Sequence, residues 1–171
     1  IQIRCDGETS YEGGQGRVVF ERNVHVEVNK DAIRLWADSL TMLLSKPANA
    51  PGTDAGAGAV GLFAAGAPKS IECLGRVDLA TPSQIVFCDH AVLDLEKKNA
   101  VLRMDDKGAE VDFYSREAQG ARLMRIRGRA FFRFAETGMT FQGGKRTLAP
   151  HEGELPQPRR LRGRLRGEGK E

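Results

Sequence analysis

The chain has 171 residues, 40% hydrophobic and 29% charged, with 20 Gly, 7 Pro and a formal net charge of +3. That size supports one globular core plus polar extensions. No apolar run approaches the roughly 20 residues a membrane-spanning helix needs, and the composition is not that of a chain disordered throughout.

Strand signals dominate in chain order. Ile1-Gln2-Ile3-Arg4 reads as the middle of a strand, without an initiator Met or a signal-peptide pattern, as expected of a piece cut from a longer protein. From Arg17 to Val28, residues Phe20, Val24, Val26 and Val28 fall on one face, while His25 and Glu27 fall on the other. This is the alternation of a half-buried strand. It returns at Leu74–Leu79 and at Arg127–Phe134. Asp31–Lys46 is ambiguous, since Ile33, Trp36, Leu40 and Leu43 also fit helical spacing behind an Asp31 cap. Internal alignment with Gln84–Leu95, which is rich in Ile, Val and Phe, favours strands there. Residues 47–68 are Ala/Gly-rich and too poor in large side chains for a core, so a flexible loop is expected.

The pattern repeats. Arg22-Asn23-Val24, Gly75-Arg76-Val77 and Gly128-Arg129-Ala130 are spaced by 53 residues. Between them recurs a second unit, Arg4-Cys5-Asp6, Trp36-Ala37-Asp38 and Phe87-Cys88-Asp89. Repeated strand–turn–strand units imply a stacked β architecture in which each hairpin lends its apolar face to a shared interior.

Signals for catalysis are absent. His25, His90 and His151 do not pair at metal or triad spacing, and His25 on a polar strand face is expected to be solvated. Asp89 and His90 are adjacent in a strand and therefore point to opposite faces. Asp6, Asp38 and Asp89 recur at equivalent positions, which suits a turn or edge role better than acid–base work. Cys5, Cys73 and Cys88 have no zinc spacing and read as small apolar fillers, with a single disulfide as the alternative. Neither a catalytic residue, a metal ligand nor a cofactor is expected.

The positive charge belongs to the end of the chain. Residues 159–171 hold six basic and two acidic side chains, leaving the rest close to neutral. That distribution argues against a broad footprint for nucleic acid. Arg159, Arg160, Arg162, Arg164 and Arg166 form the one stretch suited to weak contact with an anionic surface, whether a phosphate backbone or lipid head groups. From Gly143 onward the Gly, Pro, Arg and Glu content predicts a disordered tail or linker, placing the domain at 1–144 and the tail at 145–171.

Three segments carry a family resemblance. Val18-Val19-Phe20-Glu21-Arg22-Asn23-Val24-His25-Val26, Trp36-Ala37-Asp38-Ser39-Leu40 and Ile71-Glu72-Cys73-Leu74-Gly75-Arg76-Val77-Asp78-Leu79 resemble the F-x-G-N-V-x-V … A-D-x-h … h-x-A-x-G-N-V pattern of the OstA-like (organic solvent tolerance) domain. Arg22 stands where that family usually has Gly, Arg76 and Arg129 where Asn is usual, and residues 47–68 are an insertion. The family includes periplasmic bridge components of lipopolysaccharide transport in double-membrane bacteria.

The resemblance implies an all-β antiparallel jellyroll of two V-shaped sheets, with lipid acyl chains in the apolar interior and like domains joined by edge-strand pairing. The implied edges are Ile1–Arg4 and Met139–Gln142, and the implied setting is the periplasm or envelope. By position, the implied groove lining is Phe20, Val24, Val26, Leu35, Leu40, Met42, Val77, Leu79, Phe87, Leu93, Ala130 and Phe132. The bland alternative is a structural module of a larger envelope protein with the same fold and a filled core.

Overall fold

The period-2 runs become ten strands: β1 (Gln2–Arg4), β2 (Thr9–Glu12), β3 (Arg17–Val28), β4 (Ile33–Leu44), β5 (Pro68–Thr81), β6 (Gln84–Asp94), β7 (Asn99–Arg103), β8 (Glu110–Glu117), β9 (Gly120–Ala135) and β10 (Gly138–His151). The structure is a computed structural model, and it describes residues 2–28, 33–45, 67–117, 120–135, 138–151 and 153–161. Residues 33–44 are strand, so the helical alternative for that segment is excluded.

All pairings are antiparallel and follow chain order, β1-β3-β4-β5-β6-β7-β9-β10. β2 prolongs β1 along β3, and β8 prolongs β7 between β6 and β9.

The 53-residue repeat marks a bend. Register jumps occur between Glu21 and Val24 in β3, between Trp36 and Ser39 in β4, between Leu74 and Val77 in β5, and in β10 between Phe141 and Lys145, opposite Gly128–Arg129 of β9. Arg22, Asn23, Gly75, Arg76 and Gly128 all take positive φ there, the conformation that β-bulges use to turn a strand. The breaks between β1 and β2 and between β7 and β8 fall on the same line. Each long strand therefore contributes one half to each of two layers. Counting each crossing of the bend as a rung, the 53-residue interval spans two rungs from β3 to β5 but three from β5 to β9, so β9 crosses the bend in the opposite direction.

The core lies between the layers. Val18, Phe20, Val24, Val26, Leu40, Cys73, Val77, Ala91, Leu102, Val111, Ile126, Ala130 and Phe132 all belong to one buried cluster. Phe113 of one layer meets Phe132 of the other at 5.1 Å between ring centroids.

Gly75 shows how tightly the bend is built. It sits at φ 78°, and a Cβ there would land on the Asp38 carboxylate. Gly75→Ala is expected to lower unfolding free energy by roughly 2 kcal/mol through backbone strain, read as a lower urea midpoint. An unchanged midpoint would show that the bulge relaxes freely.

Two expectations shift. β10 runs through His151, paired with β9 from Lys145↔Arg127 to His151↔Ala121, so the proposed boundary at residue 144 falls inside a strand. Pro68 opens β5, and the Ala67 carbonyl accepts bonds from the Ser45 amide (2.8 Å) and hydroxyl (3.1 Å), so this end of the expected loop is tied down. The rest of that loop (47–66) lies outside the described residues.

Candidate functional site

At one end of the interior the layers do not fill the space between them. A cavity of about 130 Å³ remains, with no polar surface on its wall. Val26, Ile33, Leu35, Leu79 and Thr81 line it from one layer, and Leu40, Ile71, Leu93, Leu95, Phe134, Gly138 and Met139 line it from the other. Ile33, Leu95 and Phe134 are only partly buried and lie at or next to the ends of β4, β6 and β9, which places the mouth there. Gln84 ties the layers beside it. Its Nε2 donates to the Met139 carbonyl (2.8 Å), and its Oε1 accepts from the Met139 amide (2.7 Å). Thr81 is 7% exposed and puts no polar surface on the wall.

The groove candidates divide three ways. Val26, Leu35, Leu40, Leu79 and Leu93 line the cavity. Phe20, Val24, Met42, Val77, Ala130 and Phe132 are buried in the core but away from it. Phe87 faces the other side: Val86 and Cys88 point inward, so strand alternation turns Phe87 out, beside Trp36, Ala80, Ile85 and Tyr114. It does not line the interior. Sequence reasoning missed Ile33, Ile71, Leu95, Phe134 and Met139. Carrying the period-2 phase through Ala130 and Phe132 reaches Phe134, and carrying it back from Cys73 reaches Ile71.

Polar candidates settle into structural roles. Asn23 Nδ2 donates to Asp6 (2.8 Å), and Asp89 accepts the Asp105 amide (3.1 Å). His25 is not simply solvated: it stacks on Trp36 at 4.8 Å and sits 3.7 Å from Glu27. His90 bonds Glu72 at 2.8 Å. Among the described residues no three His, Cys, Asp or Glu side chains gather as a metal site. All three cysteines are free, and Cys73 and Cys88 are buried. Burial pushes both thiols far up, helped by Glu72 beside Cys73 and by Cys73 itself near Cys88, so neither supplies a thiolate nucleophile at neutral pH.

The tail holds the largest departure from expectation. Arg159 and Arg160 do not project toward an anionic surface. Arg159 Nε donates to Asp78 (2.6 Å) and Arg160 Nη2 to Asp38 (2.6 Å), both on the outer face of the bend. Opposite charge and a gap in the ladder hold them there. Arg162, Arg164 and Arg166 lie outside the described residues.

No family model matches the sequence, and no curated protein matches it. The fold does find a counterpart. The crystal structure of LptH, the LptA homologous periplasmic component of the conserved lipopolysaccharide transport device from Pseudomonas aeruginosa, superposes with a TM-score of 0.56. The match covers 92% of this chain and 90% of that one, at 10% sequence identity. The fold is an antiparallel β-jellyroll. At that identity the likeness is one of architecture.

Proposed function

We propose that this chain is an OstA-like β-jellyroll domain that shelters acyl chains of a lipopolysaccharide-type lipid in the periplasm or envelope, without catalysis. The observation that carries the reading is the cavity between the layers, with no polar surface on its wall and partly buried residues at the strand ends. Each methylene moved from water into such a space contributes about 0.8 kcal/mol. A volume near 130 Å³ resembles dry apolar cavities of about 150 Å³ that admit a benzene-sized guest. The resting cavity thus holds the end of one chain, and a longer chain enters as the layers spread at the mouth. In keeping with the resemblance, like domains would join through β1 and β10, each of which pairs on one side only among the described residues.

The test uses a fluorescent fatty-acid probe. Saturable uptake, competed by lipopolysaccharide, is expected for the parent chain. Ile33→Trp, at the half-buried mouth, should abolish uptake at a stability cost of about 1–3 kcal/mol, with the fold retained. Absence of saturable uptake by the parent, or full uptake by the variant, refutes the reading.

A second reading has its own support. Val24, Val77, Ala130 and Phe132 are at most 1% exposed, which is the packing of a filled core, so a structural module that carries no lipid is what a failed uptake assay would favour.

A further inference from the structure

The outer face of the bend presents a site of a different kind. Asp78 points away from the interior yet is completely buried, a position a carboxylate tolerates only with matched partners. The β5 bulge beside it interrupts the ladder between Leu74 and Val77. Arg159 fills that gap. Its backbone amide donates to Asp78 Oδ2 (2.6 Å) and its Nε to Oδ1 (2.6 Å). Its Nη2 donates to Val77 O (3.1 Å) and Cys88 O (3.0 Å), and the guanidinium carbon lies 5.2 Å from the Phe87 ring centroid.

The neighbouring gap takes the next residue. Arg160 Nη1 donates to Asn23 Oδ1 (2.7 Å), and Nη2 donates to Asp38 Oδ1 (2.6 Å) and reaches Gly75 O (3.4 Å). A turn closed by the Leu161 amide on the Pro158 carbonyl (3.0 Å) then sets Leu161 against the cluster of Trp36, Ala80 and Ile85. Three consecutive side chains thus meet three receptors of matching chemistry. A fork-shaped, always-charged donor suits the first two, and a lysine ammonium, a single point of charge, spans neither.

We infer that this face is a recognition site for a peptide bearing two adjacent arginines followed by an aliphatic residue, with Arg159–Leu161 as its resident ligand. The inference is independent of lipid binding, since the site lies on the opposite side of the sheet from the cavity.

Trp36 is the one tryptophan of the chain, so its emission reports occupancy. In the full chain carrying Arg159→Ala and Arg160→Ala, a synthetic peptide of sequence Leu155–Leu161 should produce a saturable blue shift. Replacing the first arginine of the peptide by lysine, or Asp78 of the chain by Asn, should weaken binding by about tenfold or more. If the lysine peptide binds equally well, or if a folded double variant shows no saturable response, the site is refuted. Should the double variant not fold, the intact ¹⁵N-labelled chain serves. Unlabelled peptide should then move the Arg159 amide resonance away from its docked position, and an unmoved resonance at saturating peptide counts against the inference.

Discussion

Phe132→Ala is expected to lower the unfolding free energy by about 3–5 kcal/mol, the range for emptying a fully enclosed aromatic site. Phe132 is 1% exposed, and its ring lies 5.1 Å from Phe113 and 5.7 Å from Phe141, centroid to centroid. It therefore joins the two layers as well as filling the middle of one. Urea denaturation should show a lower midpoint with an unchanged slope. A loss below about 1 kcal/mol would mean that the layers close over the gap and do not share a jointly packed core. Ile33→Trp, at a partly buried site, should cost less than emptying the fully enclosed Phe132 site.

Arg159→Ala should cost about 2–3 kcal/mol. Breaking a buried ion pair from one side usually costs 3–5 kcal/mol, because the remaining charge stays without a partner. Here the figure is reduced, because the Arg159 side chain is 29% exposed and the short segment carrying it can lift to let water reach Asp78. Adding Asp78→Asn to Arg159→Ala should restore part of the loss, since a neutral amide is less costly to leave unpaired than a carboxylate. Thermal denaturation of the four chains in this cycle measures the coupling. If Arg159→Ala alone is neutral, the outer-face contacts carry no energy.

Much of this was legible in the sequence, and the exceptions have physical causes. Alternation located β3 and β5, and the recurrence of Arg22-Asn23-Val24 as Gly75-Arg76-Val77 signalled repeated β units, but the triplets were not legible as bulges, because positive φ at Arg22 and Arg76 is not a property of that residue type. Alternation failed at Ile85-Val86-Phe87-Cys88, where four apolar residues in succession leave the phase undefined. Both faces are covered there, one by the core and the other by residues 159–161. The stretch Gly143-Gly144-Lys145-Arg146-Thr147 has weak strand preference and reads as linker, yet pairing with β9 holds it extended, a case of tertiary context overriding propensity. The link from Arg159 to Asp78 spans 81 positions, a separation at which local pattern carries no signal. The cavity, too, is set by how two layers diverge, which the spacing of apolar residues along one strand does not encode.

The chain-order ladder, with each rung bonded only to its immediate neighbours in space, has an implication for how such a molecule can change size. The first and last rungs never meet, so no closure condition fixes how many there are, unlike a barrel whose circumference sets its strand number. Two further rungs would lengthen the scaffold at constant cross-section, as in solenoid proteins. Adding a hairpin is thus a way for such a scaffold to grow longer without redesigning its interior.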